Sequence, residues 1–127
     1  MHFPDELLYT EEHEWLRVEG STGVVGITDY AQHELTDIVF VELPEVGTAV
    51  QQGKPFGTVE AIKAVSDLYS PVDGTVTEIN SELEAHPEWV NEDPYGRGWM
   101  IKIELSDPAQ TEKLLSAEEY RKLVGEA

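Results

Sequence analysis

Gly57-Thr58-Val59-Glu60-Ala61-Ile62-Lys63-Ala64-Val65-Ser66-Asp67-Leu68-Tyr69-Ser70-Pro71-Val72-Asp73-Gly74 holds one cation between two β-rich arms. Thr, Val, Ile and Tyr favour a pleated, half-buried surface, so the composition predicts strands over 55–62 and 65–69 with Lys63 at the hairpin tip. An isolated exposed lysine is ordinarily a solubilising charge. Here its neighbours Ile62 and Ala64 cannot hold the ammonium in an ion pair, and Glu60 and Asp67 stand further along the flanks. A reachable amine that must lose its proton from a starting pKa of about 10.4 fits a modification site.

Working outward, a proline leads into Gly57-Thr58-Val59 on one side of the lysine, and another leads into Gly74-Thr75-Val76 on the other. This faint duplication predicts two similar strand units flanking the tip. Met100-Ile101-Lys102-Ile103-Glu104-Leu105 alternates apolar and polar residues, the pattern of a half-buried strand. Ile38-Val39-Phe40-Val41 is apolar at every position, which predicts a strand in the middle of the core. Further strands are expected over 13–18, 23–27 and 74–79. Close spacing with turn signals between them indicates a sandwich or barrel.

Helices are expected to be few and short. Asp29, with Gln32 at the capping-box position, predicts a turn through Ala31 and Leu35. Asp107-Pro108 opens a helix carrying Leu114 and Leu115, and Ser116-Ala117-Glu118-Glu119 is a capping box for a second helix with Tyr120 and Leu123.

The chain has 127 residues with 40% apolar content, one domain's length, so 1–127 is expected to be a single unit with a core over about 20–105 and helices over about 107–124. Eight Lys and Arg against 26 Asp and Glu give a formal net charge of -18. Such a surface is repelled by phosphate backbones and anionic lipid, which argues against nucleic-acid and membrane partners. It suits an acidic shuttle meeting basic surfaces, or simply a soluble protein. With no cysteine, disulfide scaffolds, thiolate metal sites and cysteine nucleophiles are excluded. His13-Glu14 and His33-Glu34 lack a second histidine at helical spacing, so no metal is expected. Gly96-Arg97-Gly98 reads as a turn that lets Trp99 into the core. Met1-His2-Phe3-Pro4-Asp5-Glu6 has neither a basic start nor an apolar h-region, so no secretory signal is expected.

Around Lys63, Glu at three positions before, Ala directly after, Ser-Asp at three and four after and the closing Pro71-x-x-Gly74 resemble the attachment sequence of lipoyl-carrying domains. The details are most similar to the glycine cleavage H-protein family. Tyr9–Trp15, Gly26–Gln32, Asp37–Pro44 and Asn91–Trp99 resemble further blocks of that family in its order. Biotin carriers typically flank their lysine with methionines, and 2-oxoacid dehydrogenase lipoyl domains typically place Asp before it; neither is found here. Thr36 departs from the family's usual glycine, and a β-branched residue there asks for a different turn.

The resemblance implies a mainly β barrel-sandwich hybrid of two antiparallel sheets with short peripheral and C-terminal helices. It implies lipoate on Lys63, recognition or cleft roles for Glu60 and Asp67, and a cleft carboxylate at Glu14. The implied protein is a non-catalytic carrier and a monomer. It takes the aminomethyl group of glycine from a pyridoxal-phosphate glycine decarboxylase to a tetrahydrofolate-dependent aminomethyltransferase. A dihydrolipoyl dehydrogenase then reoxidises it, and a lipoate-attaching enzyme first modifies it. Bacterial cytoplasm is the expected location, a mature mitochondrial matrix form looking the same. Two other readings stay open: a relay that donates lipoyl groups to other enzymes, and an unmodified acidic β-sandwich that only binds proteins.

Overall fold

The computed structural model describes residues 1–125. The fold is mainly β, with two antiparallel sheets and short helices at the periphery, as expected. In chain order the strands are β1 (Leu8–Tyr9), β2 (Glu14–Glu19), β3 (Thr22–Ile27), β4 (Ile38–Glu42), β5 (Ala49–Val50), β6 (Pro55–Ala61), β7 (Val65–Tyr69), β8 (Gly74–Ile79) and β9 (Ile101–Leu105). The larger sheet runs β1-β2-β3-β9-β8-β5 and the smaller β4-β6-β7. Helices α1 (Asp29–Leu35), α2 (Trp89–Glu92) and α3 (Ala117–Val124) pack around them, with 3-10 turns at Ser81–Glu84 and Pro108–Lys113.

Strand alternation sends neighbouring residues into different cores. Leu16, Val25, Ile101, Ile103, Val59 and Leu68 meet between the sheets in the main core. Trp15 and Val24, one residue away, face the opposite side of the larger sheet and join Phe3, Leu7, Tyr9, Ala117 and Tyr120 in a second core. That side is roofed by both termini: Tyr9 and Leu115 exchange backbone hydrogen bonds of 2.8 Å, and Tyr9 stacks on Tyr120 with ring centroids 4.7 Å apart. Gly26 lies opposite Trp15 in the β2–β3 register, where any Cβ would strike the indole.

The duplicated Gly-Thr-Val segments occupy equivalent places in the two sheets. Thr58 of β6 pairs with Glu42 of β4, and Thr75 of β8 pairs with Glu104 of β9. A Cβ on Gly57 would strike the Glu42 carbonyl, and a Cβ on Gly74 the Glu104 carbonyl. Both glycines are required for the same reason, a close backbone approach.

Three sequence expectations need correction. Strand β4 is an edge of the smaller sheet, not the middle of the core. A β-bulge between Ile38 and Phe40 breaks the period of two, so Ile38 and Val41 point inward while Val39 and Phe40 both face solvent. Helix α1 is capped by Thr28, whose hydroxyl accepts from the Ala31 N–H; Asp29 instead accepts from the Gln32 side chain. Finally, the helix opened by Asp107 and Pro108 is a 3-10 turn that stops at Lys113, leaving Leu114 and Leu115 extended for the bridge to Tyr9. The capping box of α3 forms as expected.

Candidate carrier site

Lys63 stands at the tip of the β6–β7 hairpin in the connection Ile62-Lys63-Ala64. Two backbone bonds shape that connection. The Ala61 N–H donates to the Ala64 carbonyl at 2.7 Å, and the Ile62 N–H donates to the Asp37 carbonyl at 3.1 Å, tying the tip to the start of β4. The Lys63 side chain is exposed and, among the described residues, is held by no carboxylate. Asp67 lies two residues into β7, about 7 Å along the strand from Val65.

Glu14, the first residue of β2, is a carboxylate with 1% of its surface exposed. The turn before it explains how it is held. The Thr10 hydroxyl oxygen accepts the N–H groups of Glu12 at 3.2 Å and Glu14 at 3.1 Å. Its own hydrogen is therefore left for Glu14 Oε1, 2.6 Å away. The Tyr69 N–H, on the free edge of β7, donates to Glu14 Oε2 at 3.2 Å. The two carboxylate oxygens thus each accept one fixed donor and retain a lone pair for another. Burial pushes the Glu14 carboxyl up from its ordinary value to about 8, while the Thr10 and Tyr69 bonds pull the other way.

His13 completes the turn in a left-handed conformation with φ of 74°. Its Nδ1 lies 2.8 Å from the Tyr120 hydroxyl, which lies 2.8 Å from the Thr28 hydroxyl. One chain of contacts therefore joins the turn to α3 and to the cap of α1. Burial lowers the His13 pKa, favouring neutral imidazole.

Glu14 forms part of the wall of two cavities. One, of about 270 Å³, runs between α1 and β7; Ile27, Tyr30, Leu35, Val59 and Leu68 give it apolar walls, and Asp67 and Ser66 border it. The other, of about 200 Å³, lies toward the C-terminal segment, with Gln52, Lys113 and Leu115 around it. Glu14 and Asp67, far apart in sequence, thus share the first cavity. Glu60 lines neither; it sits half-buried on β6 between Phe40 of β4 and Val65 of β7.

The sequence reading missed Thr10 and Tyr69 as partners of Glu14, and Tyr120 as the partner of His13. A Thr four residues before a carboxylate was the one available signal, since Thr hydroxyls commonly stabilise such turns. Tyr69 acts through its backbone, which residue type does not reveal. Thr36 adopts φ of 62° and ψ of -142°, so the chain keeps the turn a glycine would favour despite the β-branch. Among the described residues no cluster of His, Cys, Asp and Glu is arranged to hold a metal, and no helix is long and apolar enough to cross a membrane.

An exposed amine at the tip of a hairpin whose β7 arm borders a cavity with apolar walls and a buried carboxyl suits a carrier with an acylated lysine. The walls accept hydrocarbon and sulfur, and the carboxyl accepts a cation or a hydrogen-bond donor. Residues 7–127 match the family model described as glycine cleavage H-protein. The chain is 58% identical over 126 residues to the glycine cleavage system H protein of Staphylococcus saprophyticus, covering 99% of this chain and 100% of the relative. It is 60% identical over 123 residues to that of Rubrobacter xylanophilus, covering 97% and 95%. A crystal structure of a glycine cleavage system H protein from Mycobacterium marinum superposes with a TM-score of 0.89 at 38% identity, covering 97% of this chain and 99% of that one.

Proposed function

The chain belongs to the glycine cleavage H-protein family, and from that premise we propose that it carries lipoate on Lys63 and moves the aminomethyl group of glycine between enzymes. The observation that carries this reading is an exposed lysine at the tip of the hairpin whose β7 arm borders a cavity with Glu14 in its wall. The bound lipoate supplies disulfide–dithiol exchange and a sulfur on which a one-carbon amine can travel. Catalysis resides in the partners; this chain presents, shelters and releases.

Each residue has a defined task in that role. Lys63 is the attachment point, and its freedom from ion pairs leaves Nζ available to the lipoate-attaching enzyme. Leu35, Val59 and Leu68 offer apolar contact and exclude water from whatever lies in the cavity. Glu14 holds a proton at Oε1 or Oε2 when the cavity is without a cation and passes it to an incoming neutral amine, with Thr10 and Tyr69 stabilising the carboxylate left beside the ammonium. Asp67 adds a second carboxylate at the cavity border. Glu60 faces outward beside the tip and serves recognition by partners, not the cavity.

The partners in this reading are the pyridoxal-phosphate decarboxylase, the tetrahydrofolate-dependent aminomethyltransferase, the dihydrolipoyl dehydrogenase and the lipoate-attaching enzyme. Residues 1–127 act as one monomeric carrier unit in the bacterial cytoplasm, a location supported by the bacterial relatives. Intact and peptide mass spectrometry of protein from its native cells tests the reading. A lipoyl increment on Lys63, with Lys54 and Lys102 unmodified, is expected. An unmodified Lys63 in cells consuming glycine would overturn it.

A further inference from the structure

Exposed large apolar residues are unevenly placed. The described ones are Met1, Val18, Val39, Phe40, Val46, Ile62, Val65 and Leu123, and half of them cluster on the hairpin sheet around Lys63. Ile62 is 75% exposed, Val65 64%, Val39 51% and Phe40 43%. The register sets one half-buried carboxylate inside the cluster. Phe40 lies directly opposite Glu60, and Glu60 directly opposite Val65, so the three share the outer face in one row across β4, β6 and β7. Val39 is turned onto this surface by the bulge, and Ile62 is bonded through its N–H to Asp37 at the root of the same strand. Contiguous apolar surface on sheet edges invites association, and proteins generally blunt it with charge unless it is used.

The charge around the cluster narrows the occupant. Glu60 lies within it, Asp37 and Glu42 stand at the two ends of β4 and Asp67 follows Val65 on β7, and Lys63 is the sole Lys or Arg between Lys54 and Arg97 in a chain of net charge -18. A second copy of this chain would bring like-charged borders together and cover the lysine. A surface with an apolar centre and a cationic border has neither defect. Resting on the carrier reading, we infer that Val39, Phe40, Ile62 and Val65 form an apolar collar on which a partner enzyme seats the mouth of its arm-accepting channel, apolar at the centre and ringed by Lys and Arg.

The collar makes association depend on the protein surface, separately from the cofactor. Kinetics with fully lipoylated protein, confirmed by mass in every sample, tests this. Val65→Thr and the pair Ile62→Ser with Val65→Thr remove apolar surface at exposed positions, and Val65→Thr keeps the β-branch that suits a strand. Val18→Thr and Val46→Thr remove the same kind of surface away from the hairpin. The KM of the glycine decarboxylase for the carrier is expected to rise about tenfold for the double variant and less for Val65→Thr. The kcat at saturating carrier should stay level, and both distant variants should match wild type.

A KM in the collar variants equal to that of Val18→Thr and Val46→Thr would overturn the collar while leaving the carrier function intact. So would sedimentation showing that wild type dimerises and the double variant does not, which would assign the surface to self-association. Wild-type lipoylated protein that supports no turnover would instead overturn the carrier reading, and the collar with it.

Discussion

The Lys63 hairpin and the Thr10–Glu14 turn border the same cavity region yet are fixed in contrasting ways. At the hairpin, two backbone bonds shape the tip and the side chains of Ile62, Lys63 and Val65 are free in solvent. At the turn, a threonine hydroxyl and a strand-edge N–H hold one buried carboxyl, and a histidine bonded to a tyrosine far along the chain ties the turn itself to α3. On the proposed carrier reading, the difference separates delivery from storage. Reach requires a tip with little to lose by moving, whereas retaining a reactive cargo requires groups already aimed, with nothing left to order when it arrives.

The largest expected effect breaks the delivery end alone. Lys63→Arg keeps the charge at an exposed tip, so it should fold with an unchanged midpoint, yet it removes the only amine in the attachment pattern. Glycine decarboxylation with the other components should fall to background, and intact mass should show no lipoyl increment. Retained turnover would show that the arm is attached elsewhere.

Glu14→Gln breaks the storage end while leaving attachment intact. A buried charge-assisted bond is worth about 1.5–3 kcal/mol, so hydrolysis of a sulfur-bound aminomethyl group to thiol, formaldehyde and ammonia should run about tenfold faster or more. The same variant has a pH signature in the unmodified protein. Between pH 4.5 and about 8 the unfolded chain has lost the Glu14 proton while the folded chain keeps it. Wild-type stability therefore carries a loss, on the order of a few kcal/mol, that grows with pH through this window. Urea unfolding at pH 5 and pH 9 should show that loss in wild type and its absence in Glu14→Gln. Parallel pH slopes would mean that Glu14 titrates normally.

Tyr120→Phe sharpens the comparison by acting at a distance from the carboxyl. It removes the hydroxyl between His13 and Thr28, both packed at the turn, and should cost about 1–2 kcal/mol in urea unfolding. Lipoylation of Lys63 should be untouched. The smallest effect belongs to Thr36, whose positive φ stores strain just before the strand that anchors Ile62. Thr36→Gly should stabilise the protein by about 1 kcal/mol, with unchanged carrier kinetics. A loss of stability would mean that the Thr36 hydroxyl bond to the Leu35 carbonyl outweighs the strain.

The hairpin end was far more legible in sequence than the storage end, for physical reasons. A β-rich run, a cation without nearby partners and a closing Pro-x-x-Gly are local features, so the tip and its strands could be placed from 57–74 alone. Glu14 reads as an exposed charge by residue type; its donor Tyr69 lies 55 positions away, a contact that no local pattern announces. The β4 error has a third origin. Ile38-Val39-Phe40-Val41 is apolar throughout, and nothing in composition distinguishes a strand buried on both faces from one whose bulge turns two residues outward.

The joined termini also set an order of completion during synthesis. The strands around Lys63 end at Tyr69, whereas the turn that holds Glu14 is not closed until Tyr120 has been made. At about 5–20 residues per second, that interval lasts several seconds, long compared with the microseconds a hairpin needs to form. A nascent chain halted before Leu115 has its attachment segment in full and lacks the strand that bridges Tyr9. On the proposed carrier reading, ribosome stalling or a premature stop between codons 75 and 115 would thus yield a chain with its attachment segment complete and its storage turn open.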